Sequence, residues 1–225
     1  NKLSFIVNTE TLKPVISPMS SYIPIPLLTD IVMKVGQSGF RLLCPFLAAG
    51  STLCNIVCSN SVLSEVCLSE FFQLRSMANT DSPYRSFFLR CVLAENHTAK
   101  YLESLRIAAQ EGPSVQSLDL LAAAALHSIH ARFAFGLFLC LCGSSEVGIR
   151  VLKTFLDRVP DFGEAILIAE QVCTHIRVMG TPGLHAYKGY KGMILPACGL
   201  DHNNGWDSCP LCLHVHYYFE IYDLC

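Results

Sequence analysis

Cysteine and histidine are the side chains whose spacing offers chemistry in this sequence, and they gather at its end. In CGLDHNNGWDSCPLCLHVHYYFEIYDLC, Cys209-Pro210-Leu211-Cys212 spaces two thiols so that a tight turn can bring both thiolates to one tetrahedral zinc ion. Cys198, His202, His214, His216 and Cys225 are further ligands for the other half, but no second C-x-x-C or H-x-x-x-H pair defines it. Two readings stand side by side: structural zinc, with Cys209, Cys212 and Cys225 as the metal candidates, or a reduced tail of low order that holds no cofactor. HVHYYFEIY alternates as a strand does, which predicts His214 and His216 on one face and Val215 and Tyr217 on the other. His127 and His130, three apart in a helical stretch, could approach one ion from one face. With no Asp or Glu close by to complete a site, they read as partly buried histidines at a helix end. The sequence holds no G-x-S-x-G elbow, phosphate-cradling glycine loop or H-E-x-x-H pair, so no catalytic residue is expected and the chain reads as a non-enzyme.

The elements that must position these groups are helical. The 225 residues suffice for one domain or two small ones, and 52% hydrophobic against 15% charged residues points to tightly packed apolar helices or to a membrane. The greasiest region, LDLLAAAALHSIHARFAFGLFLCLCG, is broken by His127, Ser128, His130 and Arg132, short of the roughly 20 apolar residues a span requires, so a buried helical pair is expected and no membrane. A net charge of −2 without a Lys or Arg cluster gives no footprint for phosphate neutralisation, which argues against nucleic acid. Cys44, Cys54, Cys58, Cys67, Cys91, Cys140 and Cys142 lie among apolar residues in helix-like segments, where a reduced thiol acts as a small hydrophobe. With no secretory signal at the start, a reducing cytoplasmic or nuclear location is expected, and the Asn96-His97-Thr98 sequon reads as chance. The chain opens at Asn1 rather than Met, which leaves open an earlier, unseen targeting segment.

Residues 1–21, with Pro14 and Pro18 and no sustained period, read as a lead-in of low order. IPIPLLTDIVMKVG (Ile23 to Gly36) predicts a helix from Pro26, ended by Gly36 in a left-handed conformation, with Leu27, Leu28, Ile31, Val32 and Val35 in an arc of about 140°. Phe40 to Val57 predicts a second helix that Pro45 breaks or kinks. Val62 to Met77 and Tyr84 to Leu93 are shorter helical stretches separated by a turn at NTDSP, Asn79 to Pro83. Beyond them the chain repeats. An offset of 32 lays Ala99, Tyr101 and Ser104 on Ala131, Phe133 and Gly136, and an offset of 31 lays Leu118 and Leu121 on Ile149 and Leu152. Small residues at helix crossings and a period in the low thirties are what helix-turn-helix arrays show. Phe162 to Arg177, with Asp161 as N-cap, would cap the array. After Gly180, TPGLHAYKGYKGM reads as loop.

The opening stretch also resembles the start of an F-box. Ile23-Pro24, Leu27-Leu28, Ile31-Val32 and Val35 agree in spacing with L-P-x-x-L-L-x-x-I-L-x-x-L, with Ile23, Val32 and Val35 as departures in residue type. VGQSGF, LLCPFLAAGSTLCNIV, SEVCLSEFF and FFLRCVLAENHTAKYL follow in the order seen in plant F-box proteins with a tetratricopeptide-like (Sel-type) helical region and a C-x-x-C tail. Pro45 falls where that family continues a helix, and the aromatic anchor near the end of many F-boxes is missing. The resemblance implies an all-α chain: a short F-box unit (22–68), a TPR-like helical repeat array (84–178) and an irregular Cys-containing tail (179–225). It implies that Ile23, Pro24, Leu27, Leu28, Ile31 and Val32 meet or support the Skp adaptor of a cullin-based (SCF-type) ubiquitin ligase, while the repeats take an unidentified protein target. A helical-repeat scaffold without a ligase role and a small structural zinc protein are the alternatives.

Overall fold

The computed structural model describes residues 23–74, 77–179, 186–190 and 209–225. The lead-in, Cys198 and His202 lie outside them. Among the described residues every regular element is helical: α1 (Ile25–Ser38), α2 (Cys44–Ala48), α3 (Ser51–Val57), α4 (Asn60–Leu63), α5 (Arg85–Leu93), α6 (His97–Gln110), α7 (Val115–Ala125), α8 (Ile129–Leu141), α9 (Ser145–Leu156), α10 (Phe162–Met179) and α11 (Pro210–Leu224), with 3-10 turns at Phe40–Leu43 and Ser69–Phe72. No described helix is long and apolar enough to cross a membrane.

Prolines and glycines set the boundaries of the first unit. Pro26 lies in the first turn of α1, where a missing N–H costs no hydrogen bond. Gly36 does not end the helix as expected. It is buried, and a Cβ there would stand 3.2 Å from Val66 Cγ2, so its smallness admits the α4 side of the unit; Gly39, at φ 156°, ends α1 instead. The Phe40 to Val57 stretch becomes three pieces, because Pro45 opens α2 and Gly50, at φ 129°, separates α2 from α3. Phe40, Phe71 and Tyr84 meet edge to face at 5.2 and 5.5 Å and tie this unit to the approach of α5. The expected turn at 79–83 is present, with Ser82 N–H donating to Asn79 O.

Asn96 joins that unit to the following helices. Its Oδ1 accepts from Ala99 N–H as the N-cap of α6, and its Nδ2 donates to Leu63 O and Val66 O, each at 3.0 Å. With the side chain buried and its amide fully engaged, the folded sequon is closed to a modifying enzyme. Nearby, Glu103 takes both guanidinium nitrogens of Arg85, Nη2 at 2.6 Å, and Nη2 of Arg106 at 2.8 Å. Burial works to raise the Glu103 carboxyl, but the two guanidiniums prevail and hold it below the ordinary carboxylate range.

α6 with α7, and α8 with α9, form two successive helical hairpins. The positions matched in the sequence are buried in both: Ala99, Tyr101 and Ser104 in α6, and Ala131, Phe133 and Gly136 in α8. The second hairpin crosses on glycine. A Cβ on Gly148 would fall 2.4 Å from Cys140 Sγ and 2.6 Å from Gly136 O, so the backbones touch where any side chain would part them. In the first hairpin the corresponding positions are Ser104 and Ser117, both buried.

Asp161 caps α10 as expected, its Oδ1 accepting from Glu164 N–H at 2.9 Å. α10 does not simply close the end of the row, however. It packs against both α6 and α8, and α11 packs against α8 and α10. The strand expected at HVHYYFEIY is therefore a helix. Cys209 in extended conformation and Pro210 in the first turn start α11, and Leu213, Tyr217, Ile221 and Cys225, four apart, form its buried face. Alternating hydrophobicity was a coincidence of residues that also fit a stride of four, and burial against two helices decided between them.

Candidate functional site

α1 carries two apolar faces where the sequence suggested one stripe. Leu28, Val32 and Val35 face the core, Val32 with no exposure at all. Leu27 and Ile31, one turn apart, face outward and are 53% and 41% exposed, flanked by the exposed Ile23 and Ile25. Pro24 is exposed and precedes the first helical residue, its carbonyl accepting from Leu28 N–H at 3.0 Å. Leu42 and Leu47, in the 3-10 turn and α2 that follow, are exposed as well. Of the six residues singled out in the sequence, Ile23, Pro24, Leu27 and Ile31 are available to a partner. Leu28 and Val32 set the helix on its unit.

The histidines converge on a cleft of about 420 Å³. His127 lies exposed in the turn before α8, and His130 in the first turn of α8. His97 from α6 brings its ring to 5.8 Å from that of His127, and His175 from α10 approaches His130 at 5.9 Å. His130 Nε2 is 2.5 Å from Gln171 Oε1, and His175 Nδ1 is 3.1 Å from the Tyr101 hydroxyl. Burial, and then the proximity of His130, lowers His175 to about 4, so its imidazole is neutral near pH 7. Burial likewise pushes the Tyr101 phenol well above its usual value, with a further contribution from Cys173. Beside Phe72 the cleft thus presents a neutral His175 imidazole and a protonated Tyr101 phenol. Pairing His127 with His130 in the sequence omitted His97 and His175, which arrive from other helices.

α11 divides the thiol candidates. Cys209 caps the helix, its Sγ accepting from Cys212 N–H at 3.4 Å, so both cysteines sit at one helix start. Cys225 lies past the other end, roughly 20 Å away at 1.5 Å per residue. It cannot share an ion with Cys209 and Cys212, which corrects the three-thiol set. His214 and His216 occupy different faces of a helix rather than one face of a strand: His214 is buried beside Phe133, and His216 lies 3.8 Å from Glu220. Among the described residues no three His, Cys, Asp or Glu are placed to hold a metal. Cys91 and Cys140 are buried as expected, whereas Cys44 is exposed.

Comparison with family models, with curated proteins and with solved structures gives no match to this chain.

Proposed function

We propose that the protein is an F-box adaptor, the target-recognition subunit of an SCF-type ubiquitin ligase, in which α1 docks on a Skp-type adaptor and through it on a cullin. On this reading α6 to α9 are tetratricopeptide-like hairpins that carry the target-binding part. The protein has no active site of its own, ubiquitin being transferred by other subunits, and it works in the cytoplasm or nucleus. The observation that carries the reading is the outward Leu27 and Ile31 on a helix whose opposite side, at Val32, is sealed. An apolar pair held in water on a well-anchored helix is what a docking helix requires, and each buried Å² contributes about 25 cal/mol before the costs of association. The glycine crossing of α8 and α9 supports the hairpin reading. The placement of α10 on α6 and α8 moves the expected target surface away from the face those helices turn to α10.

Co-purification with a Skp adaptor tests the proposal. Wild type is expected to bind, and Leu27→Asp and Ile31→Asp each to weaken binding by roughly 30-fold, the equivalent of about 2 kcal/mol at an interface hot spot. Because both side chains are exposed, the variants should melt as wild type does. Absence of binding by wild type rejects the reading.

A further inference from the structure

The two hairpins treat their buried cations differently. At the 32-residue offset Asn96 falls on Ser128, each an N-cap, and Lys100 falls on Arg132, each nearly sealed at 9% and 8% exposure. Lys100 Nζ pairs with the Glu95 carboxylate, supplied by the turn that precedes α6. His127 stands where Glu95 would be in the second copy. Arg132 therefore has no carboxylate partner among the described residues. Its Nη2 donates to Ala125 O at 2.8 Å, while Nη1 is buried without an acceptor among the described residues. Burial first, and the like charge of Arg158 second, hold the Arg132 guanidinium below its ordinary range. A buried charge in that position is costly until an anion joins it.

Arg132, the exposed Arg158 and His127 line one cleft of about 310 Å³, and the N-terminus of the 13-residue α8 enters it through Ser128 and Ile129. Its walls include Leu126 and Ile168. Glu164 lines it too, but forms no ion pair with either guanidinium among the described residues. The two guanidiniums, the first N–H groups of α8 and the positive end of its dipole favour an anion there, against the single carboxylate of Glu164.

We propose that this cleft binds the carboxylate of an acidic residue on a partner peptide, filling beside Arg132 the place that Glu95 fills beside Lys100. Carboxylate is preferred to phosphate because the first hairpin satisfies the matching cation with a carboxylate. The apolar walls suit a peptide in which acidic and aliphatic residues adjoin. The site stands apart from α1 and does not depend on adaptor docking.

Fluorescence anisotropy with the full chain and a labelled Leu-Glu-Leu-Glu peptide tests the proposal, with Leu-Gln-Leu-Gln as the uncharged control and inorganic phosphate and acetate as competitors. The acidic peptide is expected to bind saturably, and the amide peptide at least about tenfold more weakly, the range of one charge-assisted hydrogen bond. Arg158→Met, at an exposed position where folding is not at risk, should weaken binding by a similar factor, and Lys100→Met should leave it unchanged. His127→Glu should supply the carboxylate internally, abolishing peptide binding and raising the melting temperature. No saturable binding, equal binding of the two peptides, or a His127→Glu protein that binds as wild type would overturn the proposal. Displacement by phosphate at lower concentration than acetate would overturn the choice of carboxylate.

Discussion

His214 offers the sharpest test of how α11 is held. It is 1% exposed, packs beside Phe133, and neither ring nitrogen has a hydrogen-bond partner among the described residues. Leaving a buried polar group unpaired costs about 1–3 kcal/mol, so His214→Leu, which keeps an apolar side chain of similar bulk, should stabilise the protein by about 1–2 kcal/mol at pH 7. The pH dependence is separable. Burial lowers the His214 imidazole from 6.5 to about 4. Above pH 6.5 the ring is neutral in both folded and unfolded chains and proton linkage adds nothing. Below 6.5 the unfolded chain binds the proton first, so stability falls until the folded ring also titrates near pH 4. A displacement of that size, at 1.36 kcal/mol per pH unit, corresponds to a loss of about 3 kcal/mol across the window. Urea denaturation followed by far-ultraviolet circular dichroism at pH 7, 6, 5 and 4 measures both effects. In His214→Leu about half of the decline over that window should vanish, because His175, lowered by burial to the same value, titrates alongside it and keeps its own share. A variant less stable than wild type at pH 7 and equally sensitive to acid would refute the burial of an unpaired imidazole at this position.

Other sites give independent checks. Glu103→Ala strands the guanidiniums of Arg85 and Arg106 and should cost about 3–5 kcal/mol by chemical denaturation. Asn96→Ala removes the α6 cap and both bonds to the α4 region, an expected loss of about 2–3 kcal/mol, and amide hydrogen exchange should accelerate first at Ala99. Gly148→Ala drives a Cβ onto Cys140 and the Gly136 carbonyl, and should lower stability by about 1–3 kcal/mol or more, whereas Gly189→Ala, with open space around it, should change little. Burial raises the thiols of Cys91 and Cys225 to about 12 and that of Cys140 to about 11, so at pH 7.5 a maleimide should label the exposed Cys44 long before these three, by peptide mass mapping.

Local signals in the chain determined much of the helical organisation. Pro26 at a helix start, Asp161 as a cap and the 32-residue recurrence of small and aromatic residues are properties of neighbouring residues, and each reappears in the helices they predict. Tertiary packing decided the remainder. Whether Gly36 ended α1 or received Val66 depended on a residue 30 positions away. The alternation in HVHYYFEIY fitted a strand and a stride of four equally, until α8 and α10 offered a surface for one helical face. The apolar stripe of α1 was legible as a stripe, but its division into a sealed Val32 and an open Leu27 follows from which neighbours reach it. Likewise, the buried Arg132 becomes notable only once its depth and its missing carboxylate are seen together. Periodicity and capping act over a few residues and can be read along the chain; exposure, charge pairing and the meeting of four histidines depend on contacts between distant segments, and only the folded arrangement supplies them.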